Sequence, residues 1–288
     1  MSLNWQRNRR LSEFSTFGIG GPISFFAKIE TPEEMGEAFA FAKEKGLPCF
    51  ILGKGSNCLF DDAGFDGIVL LNRIDFLDWE GSRVTAGSGA SFSLLGFKAA
   101  SKGLSGLEFA SGIPASVGGA VFMNAGANGR ETCEALEKVQ YLHFDGRRVE
   151  FLREDLSFGY RTSPFQKMDG AILAATFQLE PKAEARATQL DIVGRRMKTQ
   201  PLSEKSAGCV FRNPEPQVSA GALIDRCGLK GFAIGRAAVS DLHANFLINK
   251  GGATCKEMLS LIDAVREKVA MQTGVHLEME VRIVGPHG

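Results

Sequence analysis

Two short runs of small residues are built for holding a polyanion. One is Gly53-Lys54-Gly55-Ser56-Asn57, which follows the apolar run 48–52. The other is Pro114-Ala115-Ser116-Val117-Gly118-Gly119, inside the stretch 103–132, whose only charge before Arg130 is Glu108. Residues this small let a backbone approach a flat or polyanionic ligand closely. Side-chain-poor turns with several N–H groups suit phosphate or pyrophosphate. A plain glycine-rich surface loop is the alternative for the second run. The first run resembles two familiar nucleotide loops and fits neither. Cys58-Leu59-Phe60 stands where a dinucleotide fingerprint needs its third glycine, and no Gly-Lys-Ser/Thr triplet closes a P-loop.

Other chemistries are disfavoured. The six cysteines form no Cys-x-x-Cys pair and the four histidines are scattered, so no metal site is expected, and the thiols read as reduced cysteines of a cytoplasmic protein. Lys plus Arg equals Asp plus Glu at 33 each. That balance argues against nucleic acid as a partner. No apolar stretch reaches the ~18 residues of a membrane span, and the arginine-bearing start has no apolar run after it, so neither a membrane segment nor a signal peptide is expected.

The elements that position the two runs read as an α/β (α+β) chain. A strand over 23–29 leads to a helix that Thr31 and Glu34 box and Pro32 opens, with Met35, Ala38, Phe39 and Ala42 inward and Gly46 at its end. A strand at 48–52 runs into the first small-residue turn. Strands follow at 67–71 and 83–86, then a helix over 91–102 with Phe92, Leu95 and Ala99 inward. A hairpin turns at Asp145-Gly146, a strand spans 171–179, and a helix spans 183–198 with Leu190, Val193 and Met197 as its apolar side. After Pro201 a smaller unit contains the helix 254–272, boxed by Thr254 and Glu257 and closed by Gly274. The last segment alternates Val275, Leu277, Met279, Val281 and Ile283 with polar residues, which predicts a strand.

Eight segments, in order from residue 15 to residue 285, resemble the UDP-N-acetylenolpyruvoylglucosamine reductases, the MurB enzymes of peptidoglycan precursor synthesis. They are Ser15-Thr16-Phe17-Gly18-Ile19-Gly20-Gly21, the Gly53–Asn57 turn, the run from Gly112-Ile113-Pro114 to Gly126-Ala127, Tyr160-Arg161-Thr162-Ser163, the run from Ser206-Ala207-Gly208-Cys209 to Arg212-Asn213-Pro214, Ala220-Gly221-Ala222-Leu223-Ile224-Asp225, His243-Ala244-Asn245-Phe246, and Glu280-Val281-Arg282-Ile283-Val284-Gly285. The resemblance implies a two-part FAD-binding domain of the PCMH/MurB type over 1–200, split near residue 75. It implies a smaller α/β substrate-binding domain over 201–274 and a C-terminal strand, 275–288, that contributes Glu280. FAD is then held non-covalently by Gly53, Lys54, Gly55, Ser56, Asn57, Pro114, Ala115, Ser116, Gly118, Gly119, Asn124, Gly126 and Ala127. No tyrosine follows Tyr160, so the chain resembles the shorter branch of the family, without a tyrosine-bearing lid loop.

The implied reaction reduces an enolpyruvyl ether to a lactyl ether, with hydride passing from NADPH to FAD to the enol methylene carbon. An electron-rich enol ether accepts hydride poorly, so charge on the neighbouring carboxylate must be stabilised and the adjacent carbon protonated. The resemblance assigns Arg161 and Glu280 to the carboxylate and Cys209 to the proton. By themselves Arg161 reads equally as a loop ion pair and Glu280 as a solvated sheet residue. Cys209 stands where many members have serine; a thiol of ordinary pKa near 8.5 is the stronger acid, and a nearby carboxylate keeps it protonated. Arg212 and Asn213 resemble family positions that reach the UDP-sugar; Asn245 is a further candidate, Tyr160 is a candidate to stack or hydrogen-bond near the same pocket, and a turn or packing role is the alternative for each. The partners implied are small molecules, the UDP-sugar and NADPH, acting on a monomer. The competing expectation is another non-covalent FAD oxidoreductase of the same cofactor-domain superfamily.

Overall fold

The most strongly patterned segments become the elements expected of them. Thr31 accepts the Glu34 amide and Glu34 reaches back, so Pro32–Lys45 begins in a capping box; Gly46 ends it in the left-handed region at φ 62°. Thr254 and Glu257 do the same for Cys255–Thr273, which Gly274 closes at φ 72°. The computed structural model describes residues 3–215 and 217–287, and its chain divides into two units.

The first unit holds the residues up to Gln6, Phe26–Lys54 and Ile68–Arg196. Its centre is a five-stranded antiparallel sheet, in the order Arg148–Leu152, Leu136–His143, Gly170–Gln178, Arg83–Gly87, Leu77–Glu80. The hairpin turns at Asp145-Gly146, with Gly146 at φ 93°. Helix Phe92–Ser101 buries Phe92, Leu95 and Ala99, and Phe92 meets Phe109 and Phe177 in the core. Cys49–Leu52 runs parallel to 68–71 and delivers the chain to Gly53.

The second unit holds Arg7–Phe25, Gly55–Gly67 and the chain from Met197 onward. Helix Cys255–Thr273 buries Met258, Leu261, Ile262, Val265 and Val269 in one cluster with Phe17, Leu59, Val210, Phe211 and Leu247. A small antiparallel sheet joins Ala233–Ile234, Ala237–Val239 and Leu247–Asn249. These units do not follow one linear cut. Arg282–Val284 pairs in parallel with Cys58–Phe60, and the Gly21 amide donates to Asp61, so two early segments fold with the C-terminal chain.

Two patterns misled. Helix Ala185–Thr199 buries Ala185, Gln189 and Ile192, while Leu190 and Met197 are exposed. Polar residues take part in its inner face: Gln189 accepts from Arg186 at 2.6 Å, and the Arg196 side chain packs against Gly112, which has no side chain to exclude it. The last segment is strand only at Arg282–Val284. Its alternation holds through Val281, then slips by one: Ile283 is 42% exposed and Val284 is buried. The slip has a cause. The amides of Glu280 and Val281 both reach the Val210 carbonyl, at 2.8 and 3.5 Å, so two residues face one in a β-bulge.

This phase change is testable. Val281→Ser removes a buried side chain and lowers unfolding free energy by about 1–3 kcal/mol. Ile283→Ser stays within about 0.5 kcal/mol. Urea unfolding of both variants checks it, and equal losses would mean that the alternation continues past Val281.

Candidate active site

The first small-residue turn keeps its donors available. Lys54, Gly55, Ser56 and Asn57 donate no backbone hydrogen bond among the described residues. The turn is fixed through its acceptors: the Gly55 carbonyl receives the Thr16 amide at 3.2 Å and Thr16 Oγ1 at 3.3 Å. Gly55 sits at φ 61°, and a Cβ there would fall on the Phe14 carbonyl, so only glycine fits.

The second turn works differently from the sequence expectation of a row of free N–H groups. Ala115 donates to Ile113, Val117 to Ala90, Gly118 to Ser88, and Ala120 to the Ser116 carbonyl. The Gly119 amide is taken by Ser116 Oγ at 3.2 Å, as the cap of Val117–Phe122. What this turn supplies is room. A Cβ on Gly53 would fall on Ser116 Oγ, and one on Gly118 would lie 2.9 Å from Ser88 Cβ. Gly53 and Ser116 thus meet within the first unit, with no side chain between them. Pro114 is exposed.

Asn124, fully buried at φ 42°, is the hub of the loop that follows. Its Nδ2 donates to Glu131 Oε2 at 2.8 Å and to the Gly159 carbonyl at 2.9 Å, and its Oδ1 accepts the Cys133 amide at 3.1 Å. Ala127 pairs with Arg130. Ser163 and Gln166, which sequence reasoning missed, both donate to the Phe122 carbonyl. These ties hold the hairpin 159–162, where Gly159 and Thr162 exchange both backbone bonds. Arg161 sits at its tip at φ 58°, with Nη2 on the Gly126 carbonyl at 2.9 Å and its guanidinium 4.8 Å from the exposed Tyr160 ring. Arg161, Tyr160, Asn124, Gly126 and Ala127 therefore form one cluster.

Cys209 and Glu280 are brought together in the second unit. Segment 209–212, bent at Val210, has a neighbour on each edge. On one, Cys209 pairs with Phe246 and the Val210 amide donates to Asn245. On the other, Phe211 pairs antiparallel with Met279, the Arg212 amide donates to Glu278, and Glu280 donates to Val210. Both Cys209 and Glu280 are half-buried. The Asn245 side chain, 2% exposed, spends Oδ1 on the Phe211 amide at 2.9 Å and Nδ2 on the Phe211 carbonyl at 2.8 Å. It clasps the strand that carries Cys209. Asn213 is exposed and its Oδ1 accepts the Ala220 amide. Arg212 is half-buried, and its Nε has no partner among the described residues.

Three of the thiols are raised by their surroundings. Burial pushes Cys49 up to about 12, helped by Asp169. It pushes Cys58 up to about 11 against the pull of Arg282. It pushes Cys255 up to about 12, with Asp62 and Asp61 adding to it. No three or more His, Cys, Asp or Glu among the described residues could hold a metal ion. The amides of Gly55, Ser56 and Asn57, which have no backbone partner among the described residues, fit an anionic group such as a pyrophosphate. A thiol and a carboxylate on adjacent segments can move a proton and bear on developing charge.

The chain matches known families along most of its length. Residues 23–151 match the FAD binding domain family, and residues 200–284 match the C-terminal domain family of UDP-N-acetylenolpyruvoylglucosamine reductase. A UDP-N-acetylenolpyruvoylglucosamine reductase of Protochlamydia amoebophila is 54% identical over 97% of this chain and 94% of its own length. One from Chlamydia trachomatis serovar D is 48% identical over 97% and 96%. The crystal structure of UDP-N-acetylenolpyruvylglucosamine reductase (MurB) from Thermus caldophilus superposes with a TM-score of 0.84 at 38% identity, covering 98% of this chain and 99% of that one.

The thiol environments set an expected labelling pattern. Thiolates are the reacting species, so at pH 8 iodoacetamide leaves Cys49, Cys58 and Cys255 of the native protein unmodified, and urea exposes all three. Peptide mass spectrometry checks it; rapid native labelling of any of the three would contradict the burial described.

Proposed function

The chain belongs to the UDP-N-acetylenolpyruvoylglucosamine reductase family, and we propose that Arg161, Cys209 and Glu280 carry its chemistry while the two glycine-rich turns hold FAD. The reaction is the NADPH-dependent reduction of UDP-N-acetylglucosamine enolpyruvate to UDP-N-acetylmuramate, a step in peptidoglycan precursor synthesis. When bound, FAD supplies the hydride relay from NADPH to the enol methylene carbon.

The chain's own groups do the rest. The amides of Lys54, Gly55, Ser56 and Asn57 take pyrophosphate oxygens. Gly53, Ser116 and Gly118 belong to the cofactor contact as well. Pro114, Ala115 and Gly119 shape the second turn, and Asn124, Gly126 and Ala127 continue the cofactor contact. Hydride addition leaves negative charge that spreads from the adjacent carbon into the substrate carboxylate. Arg161, anchored by Nη2 on Gly126, offers a planar cation suited to a carboxylate. Cys209 donates its Sγ proton to the carbanion-like carbon, and Glu280 acts with Arg161 at the carboxylate. The unpartnered Arg212 Nε supports a contact of Arg212 with the UDP-sugar. Tyr160 and Asn213, both exposed, are further contacts. Asn245 contributes by clasping Phe211.

One observation carries this reading. Val210 faces Glu280 across the bulge, so the proton donor and the carboxylate stand on neighbouring, registered segments although they are far apart in sequence. We place the enzyme in the cytoplasm as a monomer, since both its nucleotide-sugar substrate and NADPH are cytoplasmic metabolites, and assign it to cell-wall synthesis and hence to cell shape and division.

Stopped-flow kinetics separates the roles. Cys209→Ser retains measurable turnover. Cys209→Ala reduces its flavin with NADPH normally but is reoxidised by the enolpyruvyl substrate about 100-fold or more slowly, as expected for loss of a general acid. Normal reoxidation of the alanine variant would remove Cys209 from the mechanism.

A further inference from the structure

Asn57 closes the anion-receptive turn, but its side chain is turned to another task. Asn57 Nδ2 donates to the Glu280 carbonyl at 3.2 Å, and the Asn57 carbonyl accepts the Arg282 amide at 3.0 Å. One residue thus brackets 280–282 with a side-chain donor and a backbone acceptor. The next three residues, Cys58–Phe60, continue as the parallel partner of Arg282–Val284. On its other side, the Glu280 amide donates to Val210 at 2.8 Å. Both backbone polar groups of Glu280 are therefore spoken for, one by the strand that bears Cys209 and one by Asn57.

A bulge interrupts the ladder, so the direction of its side chain depends on whatever ties its backbone down. Here the Val210 carbonyl is shared with Val281, and its second contact is long, at 3.5 Å. The Asn57 amide is the tie on the Glu280 carbonyl that this ladder leaves out. We propose that Asn57 is a positioning residue for Glu280, joining the cofactor turn to the carboxylate that faces the substrate. Its backbone N–H stays with the turn; its side chain serves the second half of the reaction. This inference rests on the role given to Glu280 above.

The test uses the FAD-loaded full chain and measures both half-reactions, with FAD affinity measured alongside. In Asn57→Ala at saturating FAD, reoxidation by the enolpyruvyl substrate slows about 10- to 100-fold, more than flavin reduction by NADPH does, the scale expected when a catalytic group is misplaced by an ångström or less. Asn57→Asp sets an acceptor against the Glu280 carbonyl; its reoxidation rate, relative to Asn57→Ala, recovers as pH falls and the introduced carboxyl regains a proton. In the Glu280→Gln background, Asn57→Ala costs less than about threefold, because the two residues act as a unit. In the cofactor-free protein, amide exchange of the peptide spanning 278–284 speeds up in Asn57→Ala; if that variant fails to fold, the same peptide and half-reactions are read in Asn57→Asp.

Loss of FAD affinity with normal reoxidation at saturating FAD would make Asn57 a cofactor ligand alone and overturn the proposal. So would an equal cost of Asn57→Ala with and without Glu280. If Glu280→Gln by itself reoxidises normally, the role of Glu280 fails instead, whatever Asn57 does.

Discussion

The arrangement of Cys209 and Glu280 hangs on one short segment, 209–212, having hydrogen-bonding neighbours on both edges. Val210 and Phe211 are buried at 0% and 1% exposure, and each contributes roughly 1.5–3 kcal/mol to holding the segment down. That anchoring alone would not fix register. Register comes from the polar ties: Asn245 spans the amide and carbonyl of Phe211, and Glu278 and Glu280 bracket the opposite edge. A one-residue slip of this segment would break the two-point Asn245 clasp and leave a buried amide without a partner, which is costly. The two candidate reacting groups are thus located by core packing together with an accounting of buried backbone polar groups.

The two glycine-rich turns look alike in composition and are physically unlike. The first is held by its carbonyls and leaves its amides unspent. The second spends nearly all its amides inward, on Ser88, Ala90, Ile113 and its own cap. Small residues there buy proximity rather than donors, since a methyl group on Gly53 or Gly118 would meet the neighbouring serine.

Much of this was legible in the sequence where local rules dominate. Capping boxes at Thr31 and Thr254, left-handed glycines at 46 and 274, and the Asp145-Gly146 hairpin need only a few neighbouring residues to decide them. The motifs around Cys209, Arg161 and Glu280 pointed to a family that the comparisons bear out. What stayed hidden was non-local. Nothing near Val281 announces that its strand will leave one partner for another, so the alternation looked continuous to Ile283. Nothing in Gln189 or Arg196 shows that the helix will turn its polar residues inward. Nothing around Asn245 announces its clasp on Phe211, which depends on a segment 34 positions away.

The presence of a thiol at Cys209 becomes reasonable when the site is seen as a place for an acid rather than a nucleophile. A proton donor must be neutral at the moment charge develops on the substrate carbon. An alcohol is always neutral at physiological pH but gives up its proton reluctantly; a thiol gives it up readily but risks standing ionised. A carboxylate on the adjoining segment disfavours the thiolate by like-charge repulsion, and partial burial disfavours it by desolvation. Cys209 is half-buried, and its neighbour Val210 accepts the Glu280 amide. The backbone bond across the bulge therefore fixes the segments that carry these two groups relative to one another, whatever chemistry each performs.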